Sequence, residues 1–208
     1  MKTHRTLTII LFTLACATLA PAKNIEPRFS RREVPVLTLA QNNTVLEIRL
    51  NNEHPCTVEK IAVKLDGTTD LNDIASVRIL YADRDKNIHP FGEALAPVAG
   101  EMVFAGSQAV KNPPGIFKIS IRLKPSAGLL NRINASCAWM QINGKRIAGA
   151  PMPAPGLRVG VAVRQAGDDG VERYRIPGIV TTPTGTLLAI YDVRREKSRD
   201  LQGTLTSA

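Results

Sequence analysis

The chain has 208 residues, with 27 lysines and arginines against 18 acidic residues and a formal net charge of +9. That excess invites a nucleic-acid reading. The rest of the composition opposes it: aromatic residues make up 4% of the chain, and no run of Lys or Arg exceeds two residues. A surface drawn to acidic glycans fits the charge as well, and solvated basic faces account for most of it.

Residues 1–22 place Lys2 and Arg5 ahead of an apolar run from about Leu7 to Ala20, which closes on Ala20-Pro21-Ala22. This is the anatomy of a signal peptide, and cleavage is expected after Ala22, because cutting after Ala20 would leave Pro21 first in the mature chain. The run is too short and too broken by threonine for a stable membrane span. Thr13-Leu14-Ala15-Cys16 also forms a degenerate lipoprotein box, so lipid anchoring through Cys16 stands as the second reading. Losing Lys2 and Arg5 leaves 25 of the 27 basic residues against 18 acidic ones, a charge of +7 for an exported, periplasmic, secreted or surface chain. Cys56 and Cys137 are then the two remaining cysteines; in an oxidising compartment they either pair or stay as separate buried thiols. No Cys/His cluster has metal-ligand spacing, and no cofactor motif is present.

Residues 23–148 read as one antiparallel β-sandwich. Predicted strands are Val36 to Leu39, Val45 to Leu50, Thr57 to Leu65, Ser76 to Ala82, Met102 to Ala105, Gly115 to Leu123 and Ala138 to Ile142. Turn residues such as Asp66-Gly67 and Asn143-Gly144 separate them. Val45, Glu47 and Arg49 alternate with Leu46, Ile48 and Leu50, the period of two expected when one face is buried and the other wet. The carboxylates of this region, among them Asp66, Asp70, Asp73, Asp83 and Asp85, lie in hydrophilic turn-like stretches and form no catalytic set. Trp139 sits among Cys137, Ala138, Met140 and Ile142, which places it in the core or at its rim; exposed, it would offer a sugar ring a stacking surface.

Residues 149–156 carry three prolines at alternate positions, an extended strap without ladder hydrogen bonds, and are expected to be the domain boundary. The unit 157–208 opens on a strand with alternating Val159, Val161 and Val163. A hairpin follows, in which two runs rich in Ile, Val, Leu, Thr and Tyr flank Pro183-Thr184-Gly185-Thr186. With Thr184 and Gly185 as a two-residue loop, Arg175 stands opposite Arg194. Like charges directly opposed on one sheet face repel, so the pair calls for an anion such as a carboxylate or phosphate.

The run Tyr174-Arg175-Ile176-Pro177, then Gly185-Thr186-Leu187-Leu188-Ala189, then Asp192-Val193-Arg194, then Asp200, resembles the first blade of a bacterial sialidase (neuraminidase) of the aspartate-box family. The resemblance covers roughly the last 35 residues. It implies an all-β fold, a β-sandwich followed by the first strands of a six-bladed β-propeller. It also implies an exo-α-sialidase that releases terminal sialic acid from sialoglycoproteins, gangliosides and oligosaccharides without cofactor or metal. By the same resemblance Arg175 and Arg194 bind the sialic-acid carboxylate and Asp200 is the catalytic acid/base. A guanidinium suits that carboxylate because its planar fork meets both oxygens at once. A sialidase uses tyrosine as nucleophile, since the substrate's own carboxylate repels a carboxylate nucleophile. That tyrosine, its glutamate partner and the third arginine come from later blades. After Asp200 the sequence runs Leu201-Gln202-Gly203-Thr204-Leu205 with no aspartate box, so it is expected to be the N-terminal part of a longer protein, by truncation or frameshift, and inactive alone. The competing reading is a secreted, non-enzymatic glycan-binding or adhesion sandwich with a vestigial hairpin.

Overall fold

The computed structural model describes residues 25–51, 54–111 and 114–195. The expected leader, Cys16 within it, and Asp200 lie outside the described residues. Strands are β1 (Arg28–Ser30), β2 (Val36–Leu37), β3 (Asn43–Leu50), β4 (Cys56–Lys64), β5 (Ile74–Ala82), β6 (Ile88–Leu95), β7 (Glu101–Val110), β8 (Gly115–Leu123), β9 (Arg132–Ile133), β10 (Ser136–Ile142), β11 (Lys145–Ala150), β12 (Leu157–Gly160), β13 (Arg173–Thr181) and β14 (Leu187–Arg194). Among the described residues the helices are two single 3-10 turns, so the chain is all-β. A five-stranded antiparallel sheet in the order β1-β3-β8-β5-β6 and a four-stranded one in the order β11-β10-β4-β7 form the layers of a sandwich.

The period-two pattern decides which side chains the layers share. In β8, Phe117, Ile119, Ile121 and Leu123 point inward and are buried, while Ile116, Lys118 and Arg122 point outward. Val58, Ile61, Val63, Phe104 and Met140 from the facing sheet join the same cluster as Ile48, Leu50, Val77 and Ile79. Burying a side chain such as Phe104 or Phe117 contributes roughly 1.5–3 kcal/mol relative to leaving it in water. The Phe117 ring takes Phe91 edge-on at 5.4 Å and Tyr81 tilted at 5.0 Å. Phe91 needs room at Gly106, where a Cβ would come within 2.9 Å of its ring.

Strands absent from the sequence reading have local causes. β6 contains Pro90 and Gly92, which lower strand propensity and are tolerated because β6 is a sheet edge paired through β5 alone. β11 folds back on β10 around Asn143 and Gly144, whose positive φ values of 49° and 75° suit a two-residue hairpin loop. Cys56 and Cys137 are separate, buried thiols, which settles the pairing left open by the sequence. Burial drives the Cys137 thiol up to about 12.

A correction concerns residues 157–160, attached above to the downstream unit. β12 pairs in parallel with β2 and antiparallel with β9, and Leu157 and Val159 are buried in the sandwich core. The alternation ends there: Val161 and Val163 are exposed. The strap before β12 is held to the same body. The Arg31 side chain, 5% exposed, donates to Asn134 Oδ1 at 2.9 Å, Pro153 O at 3.3 Å and Pro155 O at 3.5 Å, and Arg132 Nη1 donates to Gly156 O at 2.8 Å. Alternate prolines leave carbonyls without ladder partners, and arginine forks from the sandwich take them up.

Candidate functional site

The two arginines singled out by the sequence lie on the hairpin β13–β14, whose strands pair with each other alone among the described residues. Its turn has three residues, Pro183-Thr184-Gly185, not two. Thr182 N donates to Thr186 O at 2.8 Å, Gly185 N donates to Thr182 O at 2.9 Å, and Gly185 takes a φ of 86°, the left-handed closing position of a three-residue loop. A second irregularity lies between Arg175 and Gly178. Pro177 has no N–H to give the ladder, and Ile176 turns to a φ of 51°, so the strand bulges there.

Together these shift the register. Arg194 stands opposite Arg173, and Arg175 stands opposite Asp192, which corrects the expected Arg175–Arg194 opposition. In this register Arg173, Arg175, Asp192 and Arg194 alternate onto one face. Arg175 and Arg194 are therefore diagonal neighbours, about 7–8 Å apart at their backbones. Between them, Asp192 Oδ2 accepts from Arg194 Nη2 at 3.1 Å, and the Arg194 side chain is only 12% exposed. Asp192 went unassigned in the sequence reading, yet its spacing of two from Arg194 on a strand already places both on one face. Among the described residues this face carries three guanidiniums and one carboxylate.

The opposite face is aromatic. Tyr174 and Tyr191 meet edge to face at 4.9 Å, and the Tyr174 hydroxyl donates to Asp168 O at 3.0 Å. Desolvation first, and the Asp169 carboxylate second, push the Tyr174 phenol above its ordinary range, so it acts as a neutral donor that ties the 165–172 loop to the hairpin. The flanks are apolar and exposed at Ile176, Ile179, Val180, Leu187, Leu188 and Ile190. Asp200 lies outside the described residues.

A groove of 630 Å3 lies on the outer face of the four-stranded sheet, lined by Lys64, Glu101, Trp139, Arg146, Ala148 and Pro151 among others. Trp139 is half-buried at its rim. Its indole N–H donates to Glu101 Oε2 at 2.9 Å, and the Arg146 guanidinium sits 4.0 Å over its ring. Arginine thus stacks on one face of the ring, and the indole N–H is engaged by Glu101. Among the described residues no three His, Cys, Asp or Glu side chains converge where a metal could sit, and no helix is long and apolar enough to cross a membrane.

Comparison with known proteins gives a consistent likeness. Residues 24–113 match the family described as the N-terminal domain of BNR-repeat neuraminidase. A curated protein of Bacteroides fragilis (strain YCH46) named sialidase is 31% identical over 227 residues, an alignment covering 93% of this chain and 42% of the relative. The solved structure of a Hadza microbial sialidase superposes with a TM-score of 0.70 at 28% identity, over 84% of this chain and 39% of that one. The chain thus spans about two-fifths of the length of these relatives.

Proposed function

We propose that the chain is the N-terminal portion of a sialidase-family protein, as its likeness to the neuraminidase N-terminal domain and to the two sialidases supports, and that the whole protein is an exported exo-α-sialidase whose substrates are sialylated glycans. The observation that carries the reading is the shared face of Arg175 and Arg194 on a hairpin with a built-in brace at Asp192. Arg194, oriented by Asp192, and Arg175 hold the carboxylate of sialic acid, which sits on the carbon whose bond to the aglycon breaks. Asp200 donates a proton to the departing oxygen and then takes one from the attacking water, as retention requires. The nucleophile is supplied by the rest of the protein. A hairpin with two carboxylate-binding arginines and an acid has no nucleophile in place and no fixed ring, so residues 1–208 alone release no sialic acid.

The experiment uses the protein continued into the sequence downstream in its gene. The continued protein releases sialic acid, and the 208-residue chain does not. Arg175→Lys, which keeps the charge but loses the fork, raises KM on all sialosides by roughly tenfold or more. Asp200→Asn loses most activity on alkyl sialosides, yet spares aryl sialosides whose leaving group needs no proton. Full activity of Asp200→Asn on alkyl sialosides would overturn the assignment of the acid. Turnover by residues 1–208 alone would overturn the account of what is missing.

A further inference from the structure

We propose that the outer face of the five-stranded sheet binds a polyanionic glycan, gripped at one corner by the arginine pair Arg28 and Arg49. The opposition expected in the hairpin between Arg175 and Arg194 occurs here instead. Arg28 and Arg49 are direct cross-strand partners in β1 and β3, next to the Phe29–Ile48 pair. Ile48 is fully buried and Phe29 packs on the core, so both arginines face outward on the same side, with Cβ atoms about 4.5–5.5 Å apart. Among the described residues neither guanidinium has a hydrogen bond or ion pair. Two like charges held this close without a counter-ion are unfavourable, and a shared sulfate or carboxylate reverses the sign.

The pair opens a longer cationic track. Lys118 and Arg122 in β8 and Arg78 in β5 face the same way, because their strand neighbours Phe117, Ile119, Ile121, Val77 and Ile79 are buried. Against these five cations the five strands carry two acids, Glu47 and Glu93; Glu47 reaches Lys118 at 3.9 Å. From Ile116 to Arg122 the track runs about 20 Å along β8, the length of several sugar units. The outward positions carry Ile116, Leu80 and Pro90 but no aromatic ring. Nothing there stacks a nucleic-acid base or supplies the aromatic anchors of a membrane-surface element. A sheet face with spaced guanidiniums suits a chain of sulfated or carboxylated sugars.

The test titrates the whole 208-residue chain with dextran sulfate, carboxymethyl dextran and neutral dextran at physiological salt, by calorimetry. Binding to one or both charged polymers and not to neutral dextran is expected, and the stronger of the two identifies sulfate or carboxylate as the recognised group. Arg28→Gln and Arg49→Gln each weaken binding about fivefold, the scale of one charge-assisted contact. Lys60→Gln and Lys145→Gln, equal charge losses on the other sheet, change it less than twofold. Where a glutamine variant lowers the melting temperature, Arg28→Lys and Arg49→Lys keep the charge and still lose a good part of the affinity, because they lack the fork. Equal losses in the Lys60 and Lys145 variants overturn the proposal, as does no binding to either polymer. Tighter binding to duplex DNA or to phosphatidylserine vesicles overturns it too. Neither dextran carries sialic acid, so this result and the sialidase result stand or fall separately.

Discussion

Replacing Arg31 by alanine should free the proline strap from the sandwich. Arg31 is one of the few charged side chains taken out of water, and its strongest uncharged contact is the 2.9 Å bond to Asn134 Oδ1. A hydrogen bond from a charged donor contributes roughly 1.5–3 kcal/mol. The carbonyl contacts at 3.3 and 3.5 Å to Pro153 and Pro155 add little at that length. The pair with Glu33, whose side chain is 70% exposed, is screened and adds at most a few tenths. The Asn134 bond ties Arg31 to the sandwich, so the strap itself loses the two long carbonyl contacts, roughly 0.5–1 kcal/mol, and because 1.4 kcal/mol is a factor of ten it should open about two- to fivefold more often. Proteolysis of the native protein reads this directly when opening is fast relative to cleavage. Cutting between Ala150 and Leu157 should accelerate by that factor in Arg31→Ala and by less in Arg31→Lys, with cutting inside the β-sheets much less affected. Equal strap cleavage in wild type and Arg31→Ala would show that the arginine does not hold it.

Further outcomes can be checked more simply. With its pKa raised to about 12 against an ordinary 9.0, the Cys137 thiol should resist alkylation at neutral pH in the folded protein and react once guanidinium unfolds it. The same shift has a definite sign. The unfolded thiol loses its proton near 9 while the folded one keeps it, so this contribution is intact below pH 9 and is lost as pH rises toward 12, by a few kcal/mol in order of magnitude. Alkaline melts that show no such decline would contradict it. Gly106→Ala pushes a methyl into the Phe91 ring and should destabilise the sandwich by about 1–3 kcal/mol in urea, with partial rescue by Phe91→Leu. Sequencing of exported material should find a mature terminus near Lys23; an intact Met1 on most molecules would contradict export.

The sandwich was legible wherever a strand buries one clean face. β3, β5 and β8 announce themselves through Ile and Val on alternate positions, and their inward residues form the core. β6 was hidden because Pro90 and Gly92 are poor strand formers, and their tolerance depends on an edge position that sequence does not display. The hairpin shows the same limit at finer scale. Its two strands and Gly185 were readable, but register depends on one loop residue and one bulge. A slip of that size changes which charges meet. Arg175 and Arg194 remained on one face, and Asp192 was given no role because its contact with Arg194 is a side-chain geometry that strand spacing alone does not display. β12 was assigned by proximity along the chain to the hairpin, whereas its Leu157 and Val159 complete a core begun more than a hundred residues earlier, a partnership no local pattern encodes.

That late strand sets an order of events as the polypeptide emerges. Val36 finds its neighbour only when Val159 arrives, closing a loop of roughly 120 residues whose entropy is paid late and slowly. Until then β2 and β9 lack their shared neighbour, and the core lacks Leu157 and Val159. A chain halted at Ala150 keeps both large sheets but leaves a seam open along one side. The smallest autonomous piece should therefore extend past Gly160, and while the polypeptide is being made the N-terminal body should stay pliable until β12 has emerged.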